Sequence, residues 1–185
     1  MMKSEEDKML AGERFDAHCD EMIAIRKKVK RILYRLNISE YHGDNMQAII
    51  RELCPNAAPD LYLEPPFHCD YGTRIEAGEH VFINFGCTFL DGGKITIGAH
   101  TLIAPGVHIY TARHPLEAAA RLEWEDVLPV VIGKQCWIGG QATICPGVTI
   151  GDRSVIGAGA VVVKDIPPDC LAVGNPARVV KRLNA

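Results

Sequence analysis

The chain has 185 residues, which is the size of one domain with at most a small appendage. Hydrophobic residues make up 48% of it and charged residues 23%, and this balance excludes bulk disorder. A net charge of −3 and an aromatic content of 6% argue against a protein that binds nucleic acid through positive charge or base stacking.

The N-terminus and the cysteines indicate the cellular compartment of the chain. No run of about 18 apolar residues is present, so no membrane span is predicted. The first seven residues, Met1–Asp7, are polar and acidic and lack the apolar stretch of a signal peptide. Seven scattered cysteines, an odd number, fit free thiols better than a disulfide framework. The sequence therefore predicts a cytoplasmic protein.

Residues 1–60 are predicted to form a helical region packed against the rest of the chain. Apolar residues recur at three- and four-residue steps over Asp20–Leu36, which predicts an amphipathic helix with Asp20 as its N-cap. A second helix is predicted over Asp44–Leu53, and Pro55 ends it. The basic residues of the first helix fit a solvated face, with contact to phosphates as the alternative.

Residues 61–185 are predicted to form the second region, and from residue 75 onward the sequence has a period of six, which fits neither a helix nor an ordinary strand. The unbroken series is Ile132, Ile138, Ile144, Ile150, Ile156 and Val162, and Gly follows the aliphatic residue at 133, 139, 151 and 157. A shorter series runs through Ile97, Ile103 and Ile109, and Ile75 and Val81 suggest an earlier start. This pattern predicts a parallel β-helix of hexapeptide repeats, in which the aliphatic residue points inward and the Gly helps the backbone turn the corner.

One long loop, over residues 111–128, interrupts the repeats. Within it, Thr111–Glu125 has no hexapeptide order. A long excursion from a regular solenoid is usually functional or disordered. It carries His114-Pro115 and the acidic and aromatic stretch Glu123–Asp126, so the loop is the predicted location of chemistry.

At these residues the sequence resembles the maltose and galactoside O-acetyltransferases, which are hexapeptide-repeat acyltransferases. The resemblance covers residues 8–183, nearly the whole chain. It rests on Met9–Glu13, Glu64–Phe67, Asp70–Gly72, Asn84-Phe85, His114-Pro115, Trp137–Gly139 and Gly174–Ala177. It implies a left-handed β-helix, acetyl-CoA as co-substrate without a metal, a sugar acceptor, and a homotrimer with its sites between subunits.

His114 is the predicted general base. Transfer of an acetyl group from a thioester to a hydroxyl requires removal of the hydroxyl proton as the oxygen attacks. A neutral imidazole, whose ordinary pKa is about 6.5, is suited to that step. The proton then passes to the leaving thiolate, and no covalent acetyl-enzyme is needed.

The resemblance also assigns residues to the two substrates. Hydroxyl-rich ligands are oriented by carboxylates and amides, and the positions that match acceptor contacts are Asp16, Asp70, Asn84 and Asp91. Trp137, Gly140 and Ala158 match the groove for the pantetheine arm, and the Gly140 N–H is a candidate oxyanion donor. Lys164, Arg178 and Lys181 follow the last coils and are candidates for the nucleotide phosphates.

Three alternatives remain open at this point. The first is a zinc-dependent, carbonic-anhydrase-like hexapeptide protein, for which His100, His108 and His114 are candidate ligands. The second is an acetyltransferase that acts on a non-sugar acceptor. The third is a non-catalytic hexapeptide scaffold, which the joint presence of His114, Asn84 and Trp137 argues against.

Overall fold

The fold is taken from a computed structural model, which describes residues 3–40, 43 and 45–183. Its helices are α1 Glu5–Leu10, α2 Asp20–Asn37, α3 Met46–Leu53 and α4 Ala118–Arg121. Its strands are β1 Tyr62–Leu63, β2 His68–Cys69, β3 Ile75–Ala77, β4 Phe82–Ile83, β5 Thr88–Leu90, β6 Ile95–Ile97, β7 Leu102–Ile103, β8 His108–Tyr110, β9 Ala112–Arg113, β10 Asp126–Val127, β11 Val130–Ile132, β12 Trp137–Ile138, β13 Thr143–Ile144, β14 Thr149–Ile150, β15 Val155–Ile156, β16 Val161–Val162, β17 Cys170–Val173 and β18 Arg178–Arg182.

The two predicted helices are present as α2 and α3. The N-cap prediction is wrong, because Cys19 occupies that position and Asp20 is the first helical residue. A carboxylate in the first turn still stabilises the helix, since it faces the positive end of the helix dipole. The predicted start of α3 at Asp44 lies outside the described residues, as does His42. No helix of the described chain is long and apolar enough to cross a bilayer.

The chain from β1 onward winds as a triangular prism. The three strands of a coil enter three different sheets, so each sheet receives one strand from each complete coil. The three sheets have the strand orders β1-β4-β7-β12-β15-β17-β18, β16-β13-β8-β5-β2 and β14-β11-β6-β3. Within the first sheet all pairs are parallel except the last, β17 with β18, which is antiparallel.

The prism is filled by the aliphatic series that the sequence predicted. Ile138 pairs in register with Ile103 in one neighbouring coil and with Ile156 in the other, and all three side chains are fully buried. The residues four positions after the aliphatic ones also point inward. These are Cys136, Ala142, Val148, Ser154, Ala160 and Ile166.

The glycines of the repeat have a different role from the one predicted. Gly139 does not adopt a left-handed backbone conformation, whereas Gln135, Gln141 and Arg153 at the corners do, with φ near +60°. A Cβ on Gly139 would lie 2.6 Å from the backbone N of Ala158 in the next coil. Glycine is therefore required because adjacent coils approach closely, and it does not make the turn.

The helices share one hydrophobic core with the first coils. Leu36 and Ile50, from α2 and α3, belong to the same buried cluster as Leu63 and Phe89 inside the prism. This shared core indicates that the helices cap the open end of the first coil. The boundary at residue 60 stays a prediction.

None of the seven cysteines forms a disulfide, and five of them are buried. Burial raises the pKa of the Cys87 thiol to about 11, which keeps the thiol protonated and unreactive at neutral pH. The prediction of free thiols is confirmed.

Candidate functional site

One edge of the prism, where the five-stranded sheet passes into the four-stranded sheet, is wider than the other two. Cys69 and Ala77 are eight positions apart along the chain, as are Phe89 and Ile97, where the regular repeat would give six. The extra residues of these two coils, and the long loop of the third, all leave the prism at this edge. We call it the loop edge and define it by Asp70, Asp91 and His114.

The long loop is partly ordered by its own contacts. Its ends pair as the antiparallel strands β9 and β10. The Arg113 guanidinium donates from Nε and Nη2 to the two Asp126 carboxylate oxygens, at 2.8 and 2.7 Å. This pairing lowers the pKa of Asp126, so Arg113 and Asp126 form an ion pair at neutral pH. His114 directly follows β9, and this ion pair therefore fixes the backbone position of His114.

The His114 imidazole is exposed and lies beside a carboxylate. Its Nε2 is 3.4 Å from Glu125 Oε2, and the Glu125 side chain is only 20% exposed. An isolated antiparallel bridge between Phe15 and Glu125 holds that carboxylate in place. The sequence prediction missed Glu125, because nothing in the stretch Glu123–Asp126 distinguishes it from its acidic neighbours.

The N-terminal segment brings Asp16 to the same place. A cavity of about 100 Å³ is lined by Asp16, His18, His114, Trp124 and Glu125, among others. The Asp16 carboxylate accepts a hydrogen bond of 2.8 Å from the His18 N–H. The Asp16 N–H donates to a Glu5 carboxylate oxygen at 2.7 Å. The predicted base and one predicted acceptor contact therefore lie together in a single chain.

Asp91 and Asp70 lie on the same edge but differ in exposure. Asp91 is fully buried, and one of its carboxylate oxygens accepts the N–H groups of Asp70 and Tyr71, each at 2.9 Å. Burial raises the pKa of Asp91. Asp70 is half-buried, and its carboxylate lies 3.9 Å from Lys30 Nζ. In this geometry Asp91 has no surface to offer an acceptor, and it supports the backbone of Asp70.

A second edge, between the seven- and five-stranded sheets, has a different character. Its turns stack in register, because the Gly106 N–H donates to Phe85 O, the Gln141 N–H to Pro105 O, and the Gly159 N–H to Gly140 O. We call it the small-residue edge and define it by Asn84, Phe85, Pro105, Gly140 and Ala158.

Two groups on the small-residue edge are open to a ligand. Within the described residues nothing accepts a hydrogen bond from the Gly140 N–H, which leaves this donor available for an oxyanion. The Asn84 side chain is half-buried, and its Oδ1 accepts the Phe85 N–H at 2.8 Å, so Nδ2 is the group left for a ligand. Trp137 on β12 is 56% exposed on the adjoining face.

One chain does not bring these two edges together. Asn84 follows β4 and His114 follows β9, so they leave the prism at different edges. A cavity of about 570 Å³ lies between Met9–Gly12 and residues 92–94 and 127–129, and neither Asn84 nor His114 lines it. A site that uses both residues needs a second copy of the chain.

Parts of this chain match two known protein families, and a characterised type of enzyme is similar over nearly its whole length. Residues 8–57 match the "Maltose acetyltransferase hexapeptide capping motif" and residues 129–164 match the "Bacterial transferase hexapeptide (six repeats)". The galactoside O-acetyltransferase of Escherichia coli K12 is 37% identical over 180 residues, which cover 96% of this chain and 89% of the relative.

Two solved structures are similar over nearly the whole chain. A maltose O-acetyltransferase from Clostridium difficile 630 has a TM-score of 0.96 and 42% identity, and the match covers 99% of each chain. A hexapeptide-repeat acetyltransferase from Vibrio cholerae, complexed with acetyl coenzyme A, has a TM-score of 0.90 and 42% identity, covering 99% of this chain and 100% of that one.

The chain belongs to the maltose and galactoside O-acetyltransferase family. It is an acetyltransferase with the left-handed parallel β-helix fold and N-terminal helices, as the sequence predicted. The capping motif corresponds to α2, α3 and the segment before them, which close the first coil. The match to the hexapeptide family covers the unbroken repeat after the loop.

The remaining candidate residues of this acetyltransferase are spread over the last coils. Ala158 is exposed on the small-residue edge, whereas Lys164 follows β16 of the five-stranded sheet. Arg178 and Lys181 are exposed on β18, at the end of the seven-stranded sheet. The three basic side chains therefore lie at the same end of the prism but on different faces.

The histidines of the zinc alternative are not grouped in one chain. His100 lies at the third edge of the prism, where its ring packs against His80 with centroids 4.8 Å apart. His108 lies on β8, where Tyr110 Oη is 2.9 Å from its Nδ1. Among residues 3–40, 43 and 45–183, no three His, Cys, Asp or Glu side chains are placed to hold one metal ion.

Proposed function

We propose that this acetyltransferase transfers the acetyl group of acetyl-CoA to a hydroxyl of a sugar such as maltose, glucose or a galactoside, with His114 as general base. One observation carries the proposal. An exposed imidazole lies in a cavity with Asp16 and beside Glu125, which is the arrangement that a hydroxyl acceptor needs. The buried, free thiols fit a reducing compartment, and we place the reaction in the cytoplasm.

The proposed chemistry is a direct transfer. A His114 ring nitrogen takes the proton of the acceptor hydroxyl as its oxygen attacks the thioester carbonyl. The Gly140 N–H stabilises the oxyanion of the tetrahedral intermediate, because it has no competing partner. The C–S bond then breaks, and the imidazolium returns the proton to the sulfur. Glu125 stabilises the imidazolium and fixes its orientation.

The donor is proposed to lie along the small-residue edge. Coenzyme A has a narrow pantetheine arm, and Gly140 and Ala158 leave room for it beside the exposed indole of Trp137. The basic side chains of Lys164, Arg178 and Lys181 then meet the nucleotide phosphates. On the acceptor side, Asp16, Asp70 and Asn84 bind sugar hydroxyls, and Asp91 acts through Asp70.

We propose that the active unit is a homotrimer with its sites between subunits. A shared site would unite the Asn84 of one chain with the His114 of its neighbour. The outer face of the seven-stranded sheet is apolar at β1, β4 and β7, where Tyr62 is stacked on Phe82 at 5.3 Å. Leu102 next to them is 51% exposed, which supports burial of this face between copies.

An acceptor screen tests the activity. Purified protein is incubated with acetyl-CoA and either glucose, maltose, a galactoside or an amine, and release of free coenzyme A thiol is measured. We expect release with at least one sugar, and none with the His114→Ala variant. Release with amines alone would show a non-sugar acceptor. Stoichiometric zinc in the purified protein, without thiol release, would support the carbonic-anhydrase-like alternative.

Subunit complementation tests the shared site. His114→Ala and Asn84→Ala chains are denatured, mixed in equal amounts and refolded together. In random trimers about a quarter of the interfaces then hold both intact residues, so about a quarter of the sites should regain the wild-type sugar KM, which neither variant shows when it is refolded alone. A monomeric mass, or no recovery despite proven subunit exchange, would contradict the proposal.

A further inference from the structure

Trp124 lies between two cavities at the loop edge. One is the cavity of His114 and Asp16, and the other is lined by Glu5, Lys8 and Arg14, among others. The Arg14 guanidinium carbon lies 4.1 Å from the centre of the indole. One face of the ring is therefore covered by a cation, and Trp124 is also a lining residue of the cavity that holds the candidate base.

The surrounding backbone keeps the indole in this position. The backbone N–H of Trp124 donates to Ala120 O at 3.3 Å. The backbone of the next residue, Glu125, forms a β-bridge with Phe15. On the other side of the loop, the Arg121 guanidinium donates to the carbonyls of Pro115 and Leu116. An aromatic side chain that stands on a held backbone and packs against Arg14 on one face loses little conformational freedom when a ligand arrives.

We propose that Trp124 is an acceptor-specificity residue, whose indole face carries the ring of a cyclic sugar while the sugar's hydroxyl edge meets Asp16 and His114. The inference rests on the proposed function, and it adds that the acceptor is a saturated ring. Such a ring has one apolar C–H face, which an aromatic ring buries well, and a polar rim of hydroxyls, which carboxylates and imidazole bind.

The size of the cavity agrees with this arrangement. About 100 Å³ is well below the ~300 Å³ at which small-molecule pockets begin, so one chain provides a wall and does not enclose the sugar. A flat indole is the part of such a wall that selects for shape. A linear polyol offers the same hydroxyls but has no ring face, and it gains nothing from Trp124.

Kinetics with matched acceptors test the proposal. Trp124→Ala should raise the KM for the hexose acceptor about tenfold, with the KM for acetyl-CoA unchanged. We expect sorbitol, a linear polyol, to be acetylated more slowly, at a rate that Trp124→Ala leaves unaffected. Trp124→Phe should restore most of the hexose KM, because it keeps an aromatic face. Leu116→Ala is the control for the loop, since Leu116 is 89% exposed and does not line the cavity.

Fluorescence gives a second measurement that does not depend on turnover. The chain has two tryptophans, so the difference between the wild-type and Trp124→Phe spectra isolates Trp124. Glucose or maltose should change this difference spectrum in a saturable way, and sorbitol should not. A Trp124→Ala variant that loses activity with every acceptor has a disturbed loop. The role of Trp124 is then decided by the difference spectrum of the wild-type and Trp124→Phe chains, and a spectrum that does not respond to glucose or maltose would overturn it.

The outcomes separate the two proposals. If the wild type acetylates no sugar, the proposed function fails and this inference fails with it. If the wild type acetylates a hexose but Trp124→Ala leaves the hexose KM unchanged, only the role of Trp124 is overturned. A hexose KM that rises together with the sorbitol KM would also overturn it, because the loss would then not depend on a ring.

Discussion

The small-residue edge and the loop edge belong to the same prism but are held together by different forces. The small-residue edge is built from backbone hydrogen bonds between stacked turns, and its geometry hardly depends on which small side chains are present. The loop edge is built from side-chain contacts such as Arg113 with Asp126 and Asp91 with the backbone of Asp70. If the donor and the acceptor bind as proposed, the regular edge holds the constant donor and the widened edge specialises for the acceptor.

The largest expected effect falls on the loop edge. His114→Ala should lower kcat by about 10²–10⁴-fold, the usual range for loss of a general base, while the KM for acetyl-CoA is unchanged. Steady-state kinetics measure both. His80→Ala is the matched control, because that exposed imidazole also pairs with a carboxylate, Asp60, at 2.8 Å, but lies at the third edge. An unimpaired kcat in His114→Ala would remove this residue from the mechanism.

Asp91 tests whether the loop edge depends on side chains for its stability. Asp91→Ala leaves the N–H groups of Asp70 and Tyr71 buried without their acceptor. It also removes a negative charge near the buried Arg74 guanidinium, whose Nε and Nη1 have no partner among the described residues. The free energy of unfolding should fall by about 3 kcal/mol, measured by urea denaturation.

The comparison variant for Asp91 is Asp70→Ala. The Asp70 carboxylate is partly exposed and its nearest cation, Lys30, is 56% exposed, so its removal should cost at most about 1 kcal/mol. Equal losses for the two variants would show that the buried carboxylate does not organise this edge.

The sequence predicted the regular edge better than the widened one. The period of six determines which residues point inward, and Ile138 or Val148 could be assigned from spacing alone. The first coil lies within the predicted β-helix of residues 61–185, but its inward residues could not be assigned from spacing, because the two extra residues after Cys69 break the period. Val81, taken as a member of the aliphatic series, is instead the inward residue four positions after Ala77.

Contacts between distant segments could not be predicted in this way. Glu125 reaches His114 because Phe15, more than a hundred positions earlier in the chain, bridges to it. No local pattern records such a contact. The burial of Asp91 was also missed, because a carboxylate after a strand ordinarily indicates an exposed turn.

Glu125 tests whether a carboxylate assists the proposed base. Glu125→Gln removes the charge beside the imidazole but keeps the shape of the side chain, so kcat should fall about tenfold with both KM values near wild type. Glu125→Asp should restore part of the loss. Glu123→Gln, an exposed neighbour in the same loop, should keep the wild-type kcat. Equal losses at 123 and 125 would indicate a general effect of loop charge and not an effect on His114.

Asn84 provides the smallest effect and the finest test of the small-residue edge. Its Oδ1 is used by the Phe85 N–H, so only Nδ2 is free to donate to an acceptor hydroxyl. Asn84→Asp keeps the turn bond and removes the donor, and it should raise the sugar KM about fivefold with the melting temperature and the acetyl-CoA KM unchanged. Asn84→Ala should raise the sugar KM similarly and also lower the melting temperature. If Asn84→Asp weakens acetyl-CoA binding and leaves the sugar KM alone, this edge contacts the donor only, and the acceptor lies wholly on the loop edge.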